Sequence, residues 1–297
     1  MVDEILSKNE SLKLTKSMVS YLKILENAIP ENLRNNFYKN LETLKLDFQS
    51  HDGIGKHNPK TNTITFDSKK TVKELQKLNL SSKEVLKSLE QILLHEFVHM
   101  ASCNYDEKED IFTYGVEKKG APINEGLNEG LTELISFLIV RPKYLPLTNY
   151  VVEMGIAYQL TLILGLDTII ETYFSGTGTK LMEDGLNSLS GESNNSKELL
   201  KQIEMTYMSK DGDFETNSLY ETQRILLDYL SEKLKKINNE EEKEAIINLY
   251  STSLITTDKL KKIVSNSEMY TDIDKNEKQF NKIINQYQNQ KTDKTKK

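Results

Sequence analysis

Two histidines one helical turn apart, inside an otherwise apolar segment, limit the folds open to this chain. Residues 95–99 read HEFVH, an H-E-x-x-H motif, and the residues immediately around it are uncharged. Ser81 and Glu84 form an S-x-x-E capping box, which predicts a helix that begins there and runs to about Ser102. Side chains at positions i and i+4 lie on one face of a helix. Both imidazoles are therefore expected to point in the same direction from a buried helix.

This spacing is typical of a metal site. His95 and His99 can bind one zinc ion at Zn–N distances of about 2.0–2.1 Å, with Glu96 beside the remaining coordination position. The chain has only 4 histidines in 297 residues, so a chance pair at this spacing is improbable. The alternative interpretation is two buried histidines whose ring nitrogens bond to carbonyl groups. A catalytic zinc site usually has three protein ligands and a water, so a third ligand is expected.

The third ligand is expected to be a carboxylate, because no histidine follows His99 and the metzincin pattern is thereby excluded. Glu125, Glu129 and Glu133 follow one another at i, i+4 spacing on the helix predicted over about 124–141. We assign Glu129 as the metal ligand and Glu133 as the residue that accepts the outer N–H of a zinc-bound imidazole. The alternative register has Glu125 as ligand and Glu129 as its orienting partner.

Small residues near the motifs are interpreted structurally. Gly126 and Gly130 are expected to let the two helices approach closely. Cys103, the only cysteine, is interpreted as a small buried thiol, because about 12 Å of helix separates it from His95. A single cysteine also rules out an intrachain disulfide, and with it a disulfide-stapled secreted scaffold.

With HEFVH on one helix and LNEGLTE on the next, the chain resembles the gluzincin branch of the zincin metallopeptidases. The resemblance covers Ile92–Glu133 and extends more weakly to GKHNPKTNTITFD, which is similar to the strand pair before the zincin active-site helix. It implies an α+β, predominantly helical fold, with a zincin-like core of a small sheet plus the active-site helix and a helical C-terminal part. It also implies one Zn²⁺ per chain. The interval between His99 and Glu129 is longer than in thermolysin-like members.

The resemblance further implies zinc-dependent hydrolysis of a peptide bond in a peptide or protein substrate, with an endopeptidase as the expected type. Glu96 would act as general base on the attacking water. Tyr114 is expected to hydrogen-bond the oxyanion. The alternatives for that role are Tyr105, Tyr150 and Tyr158. The strand around Thr63–Phe66 is expected to pair with an extended substrate.

Two other classes of function compete with a peptidase. One is a non-catalytic, metal-containing helical module that binds a protein partner. The other is a zinc hydrolase that cleaves a different bond, such as a deacylase. Structural zinc sites usually have four ligands rich in cysteine, whereas three candidates of His and Glu type are present here. The ligand set therefore favours catalysis.

The chain is interpreted as four segments: 1–75 with N-terminal helices and a strand pair, 76–141 with the metal-binding helices, 142–275 as a helical C-terminal part, and 276–297 as a polar, disordered tail. Alternating apolar residues predict the two strands near 44–48 and 63–66. In the Gly-rich loop between them, His51 and His57 are interpreted as surface turn residues. Residues 104–122 are interpreted as irregular. Further helices are predicted over 148–165, 166–175, 179–190, 196–209, 218–236, 240–255 and 258–265.

Charge and apolar patterning restrict partners and compartment. The net charge of −6, without an extended basic stripe, argues against a nucleic-acid partner. The longest apolar stretches, 134–140 and 160–166, are shorter than the roughly 20 residues that span a bilayer, so no membrane association is expected. The N-terminal residues mix acids and bases without an apolar run, which favours a cytoplasmic protein. The oligomeric state stays open.

Overall fold

The computed structural model describes residues 1–9, 12–49, 54–77, 80–118, 124–140, 150–190, 195–206 and 216–255. The predicted helix 258–265, the predicted tail 276–297 and His51 lie outside the described residues.

Helices dominate the described part of the chain, and two small sheets accompany them. The helices are α1 (Val2–Lys8), α2 (Lys16–Ala28), α3 (Arg34–Thr43), α4 (Ser68–Gln76), α5 (Ser82–Ser102), α6 (Glu125–Val140), α7 (Val151–Leu164), α8 (Leu166–Phe174), α9 (Lys180–Ser190), α10 (Asn195–Met205), α11 (Thr216–Lys236) and α12 (Glu240–Ser253). The strands are β1 (Lys45–Asp47), β2 (Gly55–Asn58), β3 (Thr63–Phe66), β4 (Asn104–Asp106), β5 (Ile111–Tyr114) and β6 (Glu117–Lys118). The predicted α+β, predominantly helical class is confirmed.

Helix α5 begins and ends where local chemistry requires. The Ser81 hydroxyl accepts a hydrogen bond from the backbone N–H of Glu84, and the Glu84 carboxylate accepts one from the backbone N–H of Ser81, which completes the predicted capping box. At the other end, the side-chain amides of Asn36 and Asn40 on α3 donate to the carbonyl of Cys103 at 2.8 and 2.7 Å. These bonds satisfy a carbonyl just beyond the helix end. The last nine residues of α5, from Leu94 on, are all buried.

The first sheet has the strand order β1-β3-β2, with β1 parallel and β2 antiparallel to β3. The predicted strand pair is therefore incomplete, because the Gly-rich loop contains the additional strand β2. Its residues, GKHN, lack the apolar alternation by which half-buried strands are detected. The prediction that Thr63–Phe66 pairs with a substrate is wrong, because β3 is the central strand and already has a partner on each side. The edge that faces α5 belongs to β2.

The second sheet lies in the stretch predicted to be irregular, and that prediction is also wrong. Strands β4, β5 and β6 form an antiparallel meander within residues 104–118. These strands are only two to four residues long, and apart from Thr113 their described side chains are exposed or half-buried, so the sequence carries little hydrophobic pattern for them. Strand β5 ends at Tyr114, and the tight turn that follows has Gly115 at φ +59°.

Helix α6 packs against both α5 and α7. Gly130 allows the close approach of α6 to α7, whereas the sequence predicts that it allows the approach of α6 to α5. A Cβ atom at Gly130 would lie 2.4 Å from the backbone oxygen of Glu153 on α7, so only glycine allows this approach. Most of the buried apolar side chains of the described elements form one cluster, which extends from Val2 to Ile255.

In the part of the chain that the structure describes, no single helix has the length and apolar composition needed to cross a membrane. Helices α7 and α8 meet that criterion only when taken together, and they are bent by 117° at the break between them.

Candidate metal centre

Helices α5 and α6 bring three ligand atoms together. The Nε2 atoms of His95 and His99 lie 3.1 Å apart, and Oε2 of Glu129 lies 3.0 Å from the first and 3.3 Å from the second. Around a tetrahedral zinc with bonds of about 2.0–2.1 Å, ligand atoms are separated by about 3.3 Å. The triangle of atoms therefore has the size that a zinc ion requires. This group can hold a metal ion.

The outer nitrogen of His95 is held by a buried carboxylate. Its Nδ1–H donates to Oε2 of Glu133 at 2.8 Å, and the other oxygen of Glu133 accepts from the side-chain amide of Gln91 at 2.9 Å. With a metal ion bound, this bond would fix the tautomer in which Nε2 of His95 carries the lone pair that binds the ion. Glu133 thus lies where the sequence placed it, one helical turn beyond Glu129.

The outer nitrogen of His99 faces a neutral partner instead. Nδ1 of His99 lies 3.4 Å from the hydroxyl of Thr132. That hydroxyl donates a hydrogen bond to the backbone oxygen of Asn128 at 2.8 Å, and it lies 2.5 Å from the hydroxyl of Tyr173. Thr132 and Tyr173 are not among the site residues predicted from the sequence. The helical spacing could have found Thr132, because it lies three residues beyond Glu129 on the same face. Tyr173 comes from α8 and has no local signal.

The charges of the group favour a bound cation. Burial opposes ionisation of Glu129, but the two imidazoles outweigh burial and lower the pKa of this carboxyl group below its usual value. Burial also opposes protonation of His95. The carboxylates of Glu129 and Glu133 outweigh this effect and raise the pKa of the imidazole. The negative charge that stabilises a protonated His95 would also stabilise a metal cation bound at its Nε2.

Glu96 is buried beside the three ligand atoms. Burial is the main reason that the pKa of its carboxyl group is raised. The backbone N–H of His57, on the outer edge of β2, donates to Oε2 of Glu96 at 2.8 Å. Gly55 leaves space for the same side chain, since a Cβ atom there would lie 2.9 Å from Oε1 and 3.0 Å from Cγ of Glu96. Strand β2 therefore holds Glu96 in one position.

Two tyrosines flank the imidazoles. The ring of Tyr114 stacks on His99 with a centroid separation of 4.5 Å, and the ring of Tyr150 stacks on His95 at 5.9 Å. The structure does not bring the other two candidates to these rings. Tyr105 donates its hydroxyl to the exposed carboxylate of Asp110, and Tyr158 packs against the apolar core.

His57 is not a surface turn residue, contrary to the prediction, because only 4% of it is exposed. Its ring stacks on Tyr114, and its Nδ1 lies 3.0 Å from the Tyr114 hydroxyl. Burial lowers the pKa of His57 to about 4, although the hydrogen bond to Asn62 opposes this shift. The prediction failed because the sequence gives no sign of β2, the strand on which His57 is buried while its neighbours Lys56 and Asn58 are exposed.

The turn that carries Tyr114 is anchored on α6. The backbone N–H of Val116 donates to the side-chain oxygen of Asn128 at 3.2 Å. A Cβ atom on Gly115 would lie only 2.1 Å from that oxygen and 2.6 Å from the ring of Tyr173. The turn therefore requires glycine, both for its positive φ and for this contact. Asn128 is a second residue of the LNEGLTE segment whose role the sequence did not reveal.

Glu125 is exposed in the first turn of α6 and lies outside the three-ligand group. The geometry thus brings Glu129, and not Glu125, to the imidazoles. Two further carboxylates approach the same end of α6. Burial raises the pKa of Glu204 to about 7, and the backbone N–H of Gly126 donates to it at 3.2 Å. Burial and the charges of Glu125 and Glu129 raise the pKa of Glu117.

Cys103 is buried, as expected, and burial raises the pKa of its thiol to about 12. A thiol with so high a pKa is a poor nucleophile and a poor metal ligand at neutral pH.

Comparisons with protein-family models, with curated proteins and with solved structures find no match to this chain. Its function must therefore be inferred from the site itself.

Proposed function

We propose that this protein is a zinc-dependent peptidase of the gluzincin type. The observation that carries the proposal is the triangle of His95, His99 and Glu129 ligand atoms with the buried carboxylate of Glu96 beside it. Three ligands of this kind are typical of catalytic zinc sites with two histidines and one glutamate. The first sheet together with α5 would then correspond to the core of a zincin.

His95, His99 and Glu129 would hold the zinc ion. When bound, such an ion lowers the pKa of a coordinated water and polarises a carbonyl oxygen. The hydrogen bond from His95 to Glu133 increases the basicity of that imidazole, and Thr132 restrains the other. Zinc is favoured because imidazole and carboxylate donors at tetrahedral spacing suit it, whereas magnesium and calcium prefer sites built from oxygen alone.

Glu96 would take the proton of the attacking water and later deliver it to the leaving amine. Its raised pKa suits both halves of this role, because a carboxylate that is too acidic neither accepts nor retains a proton. The hydrogen bond from the His57 backbone leaves the other oxygen of Glu96 available to the water. Tyr114 would hydrogen-bond the oxyanion, and Tyr150, which stacks on the other imidazole, is the alternative donor.

The substrate is proposed to bind in an extended conformation along β2. This strand forms one edge of its sheet, and it is the strand that contacts Glu96. Main-chain hydrogen bonds to a sheet edge bind peptides with little dependence on sequence. An edge strand does not require a free terminus of the substrate, so an endopeptidase is favoured.

The decisive experiment uses the full chain, purified without a histidine tag, loaded with zinc and incubated with a library of peptides blocked at both termini. Mass spectrometry should reveal internal cleavage that a chelator stops and added zinc restores. Hydrolysis of acylated lysines with intact peptide bonds would contradict a peptidase and indicate a deacylase. Bound zinc without hydrolysis of either substrate would indicate the non-catalytic, partner-binding module.

Gly55→Ala should reduce peptide cleavage without removing the metal. The added methyl group would meet the Glu96 side chain at 2.9–3.0 Å and displace the carboxylate. Misplacing a catalytic group by about 1 Å can cost roughly 100-fold in rate, and here we expect a loss of about 10- to 100-fold in kcat. Zinc content and steady-state kinetics measure both effects. Gly185→Ala on α9 is the control, because its methyl group would meet the end of the Leu164 side chain, away from the site.

A further inference from the structure

Both ring nitrogens of His57 have a defined partner. Nδ1 lies 3.0 Å from the hydroxyl of Tyr114, and Nε2 lies 3.0 Å from Oδ1 of Asn62. The imidazole is buried between the turn that carries Asn62 and the ring of Tyr114. A neutral imidazole has one N–H donor and one lone pair, so it must donate one of the two hydrogen bonds and accept the other.

The contacts of Asn62 determine which ring nitrogen of His57 is the donor. Its Nδ2 group donates to the backbone oxygen of Asn40 at 2.6 Å and to the hydroxyl of Thr43 at 2.8 Å, which uses both amide hydrogens. The side-chain oxygen is therefore the atom that faces His57, and it can only accept. The backbone of Asn62 has φ +46°, a conformation that asparagine tolerates better than most residues. Nε2 of His57 consequently carries the hydrogen.

The remaining nitrogen of His57 then carries the lone pair and accepts from Tyr114. Burial keeps this imidazole neutral near pH 7, since its pKa is about 4. The single hydroxyl hydrogen of Tyr114 is thus held toward His57. Tyr114 is half-buried; burial raises the pKa of its hydroxyl, and the charges of Glu96 and Glu129 raise that pKa further. Without His57, these carboxylates would be the strongest competing acceptors for that hydrogen.

We propose that His57 is a positioning residue of this site, which aims the Tyr114 hydroxyl through its side chain and holds the Glu96 carboxylate through its backbone N–H. The first part rests on the proposed function, because Tyr114 must be free to turn its hydrogen to an oxyanion. The hydrogen bond from Tyr114 to the neutral imidazole of His57 is weaker than one to a carboxylate would be, so breaking it costs less free energy. The Tyr114 hydrogen that is directed at His57 is also not directed at Glu96, whose charge is close enough to raise the pKa of Tyr114.

The hydrogen-bond chain can be tested without any substrate. Nitrogen-15 labelling of the 4 histidines in the full-length, metal-free protein allows each ring nitrogen to be observed by NMR. We expect His57 to be neutral at pH 7 with hydrogen on Nε2. Tyr114→Phe should move the Nδ1 signal to that of a free lone pair, and Asn62→Gly, which suits the same φ, should produce a mixture of tautomers. Hydrogen on Nδ1, or an Nδ1 signal unchanged by Tyr114→Phe, would overturn the proposal.

Kinetics of the zinc-loaded protein test the link to catalysis. His57→Phe keeps an aromatic ring and the backbone N–H, so it removes only the side-chain bonds. We expect kcat to fall about tenfold with KM changed less than about twofold, and His57→Gln, which retains an acceptor, to recover part of the loss. In a Tyr114→Phe background, His57→Phe should have no further effect on kcat. Independent, multiplying effects would refute action through Tyr114.

The two parts of the test separate the possible failures. Wild-type protein that cleaves no peptide but shows the expected His57 tautomer would disprove the peptidase and keep the hydrogen-bond chain. An active peptidase in which His57 has the other tautomer would support the peptidase and disprove the hydrogen-bond chain. Zinc content of the His57 variants must equal that of the wild type, because the hydrogen bonds of His57 go to Glu96, Tyr114 and Asn62 and not to the three ligand side chains.

Discussion

Replacing Glu96 with glutamine should abolish peptide hydrolysis and leave the zinc content unchanged. Glutamine has the shape of glutamate, so it fits against Gly55 and can still accept the backbone N–H of His57. It has no basic oxygen that could take a proton from water. General-base catalysis contributes about 10²- to 10⁴-fold, and kcat should fall by about this factor. Single-turnover cleavage of a blocked peptide and elemental analysis of the same sample measure the two quantities.

Glu84→Gln is a matched control on the same helix. Glu84 belongs to the capping box at the start of α5, and glutamine is accepted at that position of the motif. This variant should therefore keep full activity and full zinc content. Wild-type rates in Glu96→Gln would remove Glu96 from the mechanism. Loss of zinc in the same variant would instead show that Glu96 helps to hold the metal.

The helices that carry the site could be predicted from sequence because their signals are local. A capping box marks the start of α5, and apolar residues at helical spacing follow it. Pro142 disfavours helix in the residue before it, and α6 ends at Val140. The i, i+4 spacing of the glutamates on α6 then placed Glu129 and Glu133 on the face that meets His95.

The small sheets could not be predicted in the same way. Strand β2 has the sequence GKHN, and its pairing with β3 depends on a hairpin of polar residues that tertiary contacts stabilise. Missing β2 had two consequences. His57 was placed on the surface although its N–H contacts Glu96, and the substrate was assigned to the central strand β3. Contacts between residues far apart in sequence, such as Thr132 with Tyr173, leave no periodic pattern to detect.

One helix supplies most of what surrounds the metal position. On α6, Glu129 faces the imidazoles, Glu133 and Thr132 contact their outer nitrogens, and Asn128 fixes the turn that carries Tyr114. A small rotation of α6 would disturb all of these contacts together. The close approach of Gly130 to Glu153 on α7 restrains such a rotation. The fold around α6 therefore arranges the three candidate ligand atoms without a metal ion.

Glu129→Ala should remove the metal, whereas Glu125→Ala should retain about one zinc per chain. Glu129 provides one of the three ligand atoms, and its loss leaves the Nε2 atoms of His95 and His99 without an anionic neighbour at 3.0–3.3 Å. Glu125 is exposed and lies outside the group. Glu133→Ala should have an intermediate effect, because partners that orient a ligand contribute roughly 10- to 100-fold to metal affinity.

Competition of each variant with a zinc-binding dye gives its affinity, and elemental analysis gives its metal content. We expect Glu129→Ala to lose more than the roughly 100-fold that is the upper end for an orienting partner. Glu129→Gln, which keeps the side-chain volume but not the charge, separates loss of the ligand from a packing defect. If zinc were lost from Glu125→Ala and retained by Glu129→Ala, the other register of α6 would be correct. Equal affinity in all variants would mean that none of these glutamates is a zinc ligand, and the proposed group of His95, His99 and Glu129 would be wrong.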